Sequence, residues 1–406
     1  MTRPFDGRRV LLGITGGIAS YKAAWLARLL TQAGAVVDVV MTRAATEFVG
    51  PVTLEALTGR PVHVELLGAG RALDHIKLAR AADLVVVAPC TADFLARAVH
   101  GMADDLLAAC LLAATAPVLL VPAMNDRMWA HPQVGRNVEH ARALGYTVLD
   151  PVEGPLAAGE GSGPGRMPEP ETIFAHVGRA LEQPGDLRGA HVLVTAGPTR
   201  EALDPVRFIT NHSSGKMGTA LAASAWRRGA TVTLVAGPLQ VPVPAGIRHV
   251  AVESTQEMAD RVAEHLATSD VLVMAAAPAD FRPATVAARK LKRGDGSRSI
   301  DLAPTADILA TTRERRRPGA VTVGFALETN DTLANARAKL HAKGVDLIVL
   351  NDATEAGAGF GVDTNRVTFV AADGEEALPL LSKADVADAI LDRVVRLREA
   401  RGPAAS

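Results

Sequence analysis

The stretch FITNHSSGKMG, residues 208–218, places Asn211, two serines, a glycine and Lys216 directly ahead of an amphipathic run. Backbone N–H groups at a glycine-containing helix start suit an anion, and a lysine adds charge. A Walker A loop reads G-x-x-x-x-G-K-[ST]. Here Thr210 stands where its first glycine belongs and Met217 follows the lysine, so any anion is held in another way. A plain capped helix accounts for the serines equally well, because serine is a good N-cap.

A second stretch, TGGIASYK at 15–22, has the same character: Gly16 and Gly17 end an apolar run and open a helical one. It lacks the G-x-G-x-x-G spacing of dinucleotide sites, and a ligand-free strand–helix turn is an even reading. Company raises it. APCTAD (88–93) and PAMNDRMW (122–129) close two later apolar runs, so three loops converge on one sheet edge. His75, in DHIKLAR, is a lone histidine, more often structural than chemical. Asn125, between Met124 and Met128, suits a turn as well as a ligand. The basic runs RKLKR (289–293) and RERRR (313–317) read as solvated surface on their own.

The elements that carry these loops follow from the apolar pattern. RVLLGI, VVDVVM, DLVVVAPC and PVLLVPA are short buried runs, each followed by a polar turn and a helical segment. The pattern restarts at HVLVTAGPT and continues through TVTLVAGP, DVLVMAAAPAD, VTVGFALET and VDLIVLND. Strands alternating with helices give doubly wound parallel sheets, whose ligands sit at strand ends. The expected class is therefore α/β, with two Rossmann-like domains. A Gly/Pro/Glu-rich stretch at 151–171, a helix and then QPGDLRG put the boundary near 183–190, giving domains 1–186 and 187–406.

Composition sets the outer limits. The 406 residues are 48% hydrophobic and only 3% aromatic, an Ala/Val/Leu core suited to sheets covered by helices. Net charge −1 argues against a nucleic-acid or membrane-surface binder. Cys90 and Cys110 are the only cysteines, which gives no disulfide scaffold and fits a reducing cytoplasm. No zinc spacing occurs, and Gly16-Gly17 interrupt the first apolar run too early for a signal peptide. The uncharged run LLAACLLAATAPVLLVPA (106–123) is split by Pro117 and reads as a buried helix ending near Thr115, then a strand at 118–121. The terminal RGPAAS reads as a disordered tail.

Taken together, TGGIASYK, the His75 element, APCTAD, GMADDLL (101–107) and PAMNDRMW resemble the flavin-containing cysteine decarboxylases. DPVRFITNHSSGKMG, AAAPADFRP and RKLKR extend the likeness. Across residues 8–395 the chain resembles the bacterial bifunctional phosphopantothenoylcysteine decarboxylase/phosphopantothenate–cysteine ligases of coenzyme A synthesis. That implies a flavoprotein-type N-terminal and a ligase-type C-terminal domain.

For the first domain the resemblance implies FMN, with Gly16, Gly17, Ile18, Ser20, Thr42, Pro89, Thr91 and Met124 around it. It makes His75 the active-site base and Asn125 the binder of the substrate carboxylate. For the second it implies CTP and Mg²⁺, with 4′-phosphopantothenate and cysteine as the other substrates. Asn211 then contacts the acyl-nucleotide intermediate, and Lys290 binds triphosphate and stabilises the transition state. Arg293 stands where the family's K-x-K-K element ends in lysine. Ala275, Ala276, Asp280, Ala306, Asp307, Ile308, Leu309, Phe325, Lys339 and Lys343 complete the nucleotide set. Lys339 and Lys343 are spaced to share one helix face. No protein-held metal cage is implied. The implied assembly is a homo-oligomer, a dodecamer of trimers joined by dimers.

One departure concerns the first domain. The family ends it with L-A-C-G before G-x-G-R-M, and that cysteine donates a proton in the final enethiol reduction. This chain reads LAAGEGSGPGRM, with Ala158 in the cysteine's place and one more residue in the loop. Cys90 and Cys110 lie in apolar segments, where a buried thiol is inert. Either Glu160, Ser162 or water donates instead, or this half binds flavin without completing turnover. The otherwise intact flavin motifs favour the first. A two-domain NAD(P) dehydrogenase, suggested by architecture alone, would need G-x-G-x-x-G with an acidic residue about 20 positions on, and neither first strand is followed by one.

Overall fold

A computed structural model describes residues 4–157, 159, 161–292, 299–328, 332–352, 359 and 361–402. Ala158, Glu160 and Arg293 therefore lie outside the described residues. The chain divides into two compact units, Met1–Gln183 and Pro184–Ser406. The sequence had put the division between residues 186 and 187.

In the first unit, strands β1 (Arg9–Ile14), β2 (Val36–Met41), β3 (Val62–His63), β4 (Leu84–Cys90), β5 (Val118–Pro122) and β6 (Thr147–Val148) form one sheet. Its order is β3-β2-β1-β4-β5-β6, parallel throughout. Period-two alternation explains why both faces are apolar. Val10, Leu12 and Ile14 join Leu26 and Leu30 of the helix Ser20–Gln32 in one buried cluster. Leu11, Val85 and Val87 face Phe94, Leu106 and Leu107 in another. The helix expected to end near Thr115 is Leu106–Ala113, with Asp105 accepting from the Ala108 N–H as its N-cap. Gly34 follows the helix Ser20–Gln32 with φ 95°. There the bonds from Gly34 N to Thr31 O and from Ala35 N to Leu30 O satisfy the last carbonyls. A hairpin, β7 (Val152–Pro155) with β8 (Ser162–Arg166), closes the unit before the helix Pro170–Leu181.

The second unit adds β9 (His191–Ala196), β10 (Glu201–Ala202), β11 (Phe208–Ile209), β12 (Thr231–Ala236), β13 (Arg248–Ala251) and β14 (Val271–Met274). Next come β15 (Phe281–Pro283), β16 (Leu302–Pro304), β17 (Val321–Glu328) and β18 (Leu347–Asp352). Last are β19 (Thr364–Asn365), β20 (Val367–Ala371), β21 (Gly374–Ala377) and β22 (Leu381–Ser382). The main sheet runs β13-β12-β9-β14-β17-β18-β20-β21. It is parallel up to β18, but β20 and β21 add antiparallel, an edge that the all-parallel reading missed. Short antiparallel pairs β10–β11, β15–β16 and β19–β22 stand outside it.

The expected disordered tail is also corrected in part. Arg401 ends the helix Lys383–Arg401 and donates to Ala320 O at 2.6 Å, with its other arm on Asp346. Among the described residues no helix is long and apolar enough to cross a membrane.

Leu26 is fully buried between its helix and the sheet. Leu26→Ala is expected to lower stability by about 2–5 kcal/mol, read from urea unfolding by circular dichroism. A loss near zero would mean that this helix is not anchored as described.

Candidate functional site

Each main sheet reverses its strand order once at its centre, between β1 and β4 and between β9 and β14. Connections leave in opposite directions there, so a crevice opens at the carboxyl ends of the strands. Both units carry a cavity at that point.

The first cavity, about 470 Å³, is bounded by the loops after β1, β4 and β5 and by the β7–β8 hairpin. Gly16, Gly17 and Ile18 line it together with Pro89, Thr91, Met124 and Asn125. The N–H groups of Gly16, Gly17, Ile18 and Ala19 make no hydrogen bond among the described residues. They precede the helix Ser20–Gln32, so its dipole adds to their pull on an anion. Buried Thr15 locks two of the loops: its hydroxyl donates to Pro89 O at 2.8 Å and accepts from Thr91 N at 3.0 Å. Thr91 Oγ1 accepts from Phe94 N as an N-cap, which leaves its proton for the cavity.

Three expected residues stand elsewhere. The buried Ser20 hydroxyl donates back to Gly17 O at 2.7 Å and so braces the turn from inside. Thr42 is buried and caps Arg43–Thr46, with Oγ1 accepting from Ala45 N. It supports the turn indirectly, because a Cβ on Gly16 would sit 2.4 Å from Ala44 Cβ. His75 is half-buried on the helix Asp74–Ala81, does not line the cavity, and has a buried Nδ1 with no partner among the described residues.

Asn125 lines the cavity. Its Oδ1 accepts from Arg127 N at 2.9 Å, while its amide N–H groups have no acceptor among the described residues. They are donors for a carboxylate. Met124 N donates to Gly165 O at 3.0 Å, latching the hairpin over this loop. Gly165 has φ 150°, and a Cβ there would lie 2.2 Å from Met124 O, so only glycine permits the latch.

Sequence reading missed Lys22 and Arg166, which also line the cavity. Lys22 is buried; its ammonium donates to Met167 O at 2.8 Å and to Glu169 at 3.2 Å, and burial pushes its pKa down. Arg166 takes the same Glu169 oxygen at 2.5 Å. One carboxylate thus serves two cations, and among the described residues no acidic side chain lines the cavity. Apolar walls from Ile18, Ala123, Met128 and Leu156, with N–H donors and positive charge at the rim, fit a flat phosphorylated cofactor. Cys90 and Cys110 are buried away from it; burial raises both thiols, Cys110 to about 12. Ser162 is exposed on β8 and does not line it either.

The second cavity, about 370 Å³, is lined by Ser213–Gly218, Ala275, Ala276, Asp280, Asn211, Phe325 and Lys339. The N–H groups of Ser214, Gly215, Lys216 and Met217 make no hydrogen bond among the described residues. They head the helix Lys216–Arg227. Asn211 ties two loops: Oδ1 accepts from Ser213 N at 3.0 Å, and Nδ2 donates to Ala277 O.

Lys290, Ala306, Asp307, Ile308, Leu309 and Lys343 do not line this cavity. Ile308 and Leu309 are buried in the core, so only their backbone is free to meet a ligand. Asp307 caps the helix Ile308–Thr311 and captures Lys343 in an ion pair. The two lysines thus differ in surroundings: Lys339 lines the cavity, while Lys343 is held by Asp307. Lys290 is exposed, but its neighbour is tethered: Leu291 N donates to Asp204 at 3.1 Å and Leu291 O accepts from Arg207 at 2.7 Å. The signature DPVR is thus a knot. Buried Asp204 also accepts from Val206 N and Arg207 N, and the Arg207 guanidinium holds its carboxyl far below the usual carboxylate range.

Two further lysines line the cavity without having been expected there. Lys216 donates to Asp363 at 2.6 Å and to Gly361 O at 2.9 Å. Lys383 is buried, donates to Gly359 O at 3.0 Å and Val362 O at 2.6 Å, and has its pKa lowered first by burial and then by Lys216. The GKMG motif advertised Lys216. Nothing local marks Lys383, which opens the last helix.

Residues 2–182 match the Flavoprotein family, and residues 187–397 match the DNA/pantothenate metabolism flavoprotein C-terminal domain. The Coenzyme A biosynthesis bifunctional protein CoaBC of Vibrio vulnificus (strain CMCP6) is 46% identical over 395 residues, covering 96% of this chain and 98% of that one. Its namesake in Bacillus subtilis (strain 168) is 45% identical, covering 98% and 99%. The Mycobacterium bovis protein of that name is 49% identical, covering 96% of both chains.

Two outcomes are expected. Gly165→Ala should open the latch and speed limited proteolysis of 152–166 about five- to tenfold, the worth of about one hydrogen bond. For Asp204 the folded carboxyl is depressed, so its stabilisation is complete above about pH 4 and is lost as pH falls through the lowered value. The Tm gap between the parent and Asp204→Asn should hold above that pH and close towards about pH 2; a constant gap would contradict the assigned cause.

Proposed function

Because the chain belongs to the family of bifunctional coenzyme A biosynthesis enzymes, joining a decarboxylase to a ligase, we propose how its two units divide the work. The second unit ligates cysteine to 4′-phosphopantothenate at the expense of CTP. The first decarboxylates the resulting phosphopantothenoylcysteine with FMN. The observation that carries this reading is the pair of strand-reversal cavities, each bordered by four backbone N–H groups without a partner among the described residues.

In ligation the 4′-phosphopantothenate carboxylate attacks the α-phosphorus of CTP, pyrophosphate leaves, and the cysteine amine attacks the acyl-cytidylate. Two anions must approach, and that repulsion is the main obstacle. Lys216, Lys339 and Lys383 at the cavity and Lys290 on its tethered segment offset it, together with Mg²⁺ carried on the phosphates. The free N–H groups at 214–217 cradle phosphate oxygens. Asn211, fixed by its two loop bonds, presents its remaining N–H to the acyl group.

In decarboxylation, FMN bound in the first cavity would supply the reversible two-electron chemistry that makes loss of CO₂ from the substrate feasible. The Gly16–Ala19 N–H groups and the Thr91 hydroxyl hold the cofactor phosphate, and Asn125 holds the substrate carboxylate. His75 serves as base. Since it stands away from the cavity of its own chain, a trimer would let it act at a neighbour's. That is the assembly we assign to this unit, within a dodecamer in the cytoplasm.

Ala158 supports one alternative, in which the first unit binds FMN yet stops before the final reduction. Purified protein should be yellow, and should release pyrophosphate from CTP only with 4′-phosphopantothenate present. Given phosphopantothenoylcysteine, it should yield CO₂ and 4′-phosphopantetheine in equal amounts by mass spectrometry. CO₂ with accumulated enethiol would favour the alternative, and a colourless protein that leaves CTP intact would refute both.

A further inference from the structure

Between the signature loop after β9 and the AAAPAD loop after β14 lies a buried chain of side chains with no assigned part. Glu201, Thr255 and Thr199 are 4%, 1% and 0% exposed. Thr255 Oγ1 lies 2.8 Å from Glu201 Oε1, which also accepts from Thr255 N at 2.8 Å. Thr199 Oγ1 and Thr255 Oγ1 are 2.9 Å apart, and Ala279 N donates to Thr199 Oγ1 at 2.9 Å.

Counting protons fixes the direction of this chain. A carboxylate only accepts, and Glu201 Oε1 at 2.8 Å is a much nearer acceptor for the single Thr255 hydroxyl proton than Ala279 O at 3.4 Å, so Thr255 donates to Glu201. Thr255 can then only accept from Thr199, whose proton is thereby spent. The oxygen of Thr199 is left as the acceptor for the Ala279 N–H. The other side of the same residue is held as well: Thr305 Oγ1 donates to Ala279 O at 2.6 Å, and Thr305 N to Asp280 O at 3.0 Å. Thr199 O, finally, accepts from Thr210 Oγ1 at 2.7 Å, next to Asn211. Asp280 and Asn211 line the second cavity, and Thr305 immediately precedes Ala306 and Asp307.

We propose that Glu201, Thr255 and Thr199 are positioning residues for nucleotide recognition: they clamp the Ala279 peptide and thereby set Asp280, the 306–309 loop and Asn211 in register. The assignment rests on the CTP-dependent ligation proposed above. None of the three lines the cavity, so they act through the loop and not on the ligand.

The test uses the full chain and steady-state ligation with CTP, 4′-phosphopantothenate and cysteine varied in turn. Thr199→Val removes the acceptor at nearly constant volume and takes from the half-buried Ala279 N–H its partner. It should raise KM for CTP about tenfold while leaving KM for cysteine unchanged. Glu201→Ala should act in the same selective way, and Thr199→Ser, which keeps the hydroxyl, should stay within about twofold of the parent. Should either core variant fail to fold, half-exposed Thr305→Val removes the second tie and should raise KM for CTP about threefold. An unchanged KM for CTP in the folded variants, or an equal loss toward all three substrates that Thr199→Ser does not restore, overturns the assignment. A parent chain that never consumes CTP overturns the ligation reading itself, before any variant is made.

Discussion

Parallel strands end with their backbone polar groups pointing at whatever lies beyond the sheet, and the helices that follow begin with N–H groups that no carbonyl can reach. Most of this molecule's functional layout follows from that one constraint. At the centre of each sheet the chain leaves in opposite directions, and the unsatisfied amides of Gly16–Ala19 and of Ser214–Met217 sit at the opening. N–H donors that no carbonyl of the fold reaches, gathered at a helix start, favour an anion, so a phosphate placed there would be stabilised by the same amides that border the opening.

The surroundings keep those amides in place. Thr15 joins two loops in the first unit, and Asn211 joins two in the second. Neither depends on a long-range charge: both use short polar side chains that bond to backbone groups on two loops. Positive charge gathers at the two cavities, with Lys22 and Arg166 lining the first and Lys216, Lys339 and Lys383 the second.

Much of this was legible because strands covered on both faces read as unbroken apolar runs, as in LVVVA and VLLV. The glycine turns after them were visible for the same reason. What escaped was short, antiparallel or distant. Val62–His63 and Thr147–Val148 are too brief to show a period, and SGPGR in the β7–β8 hairpin looks like pure loop. β20 and β21 carried no signal that they would run against the sheet. Side-chain partnership was hidden as well: helical spacing put Lys343 beside Lys339, but the carboxylate at the Asp307 cap claims it. Likewise Ser20 and Thr42 were placed correctly along the chain but turn their hydroxyls to the backbone.

Lys383, the first residue of the helix that runs to Arg401, is the last residue in chain order to line the second cavity, whose other lining residues run from Asn211 to Asn365. A nascent polypeptide therefore cannot complete the lining of the second cavity until the start of this helix has emerged from the ribosome and docked. The first unit needs nothing from that segment within its own fold, so it can close its sheet while the second is still being translated. Loss of the final helix to a protease or an early stop would on this view abolish ligation without touching the flavin pocket.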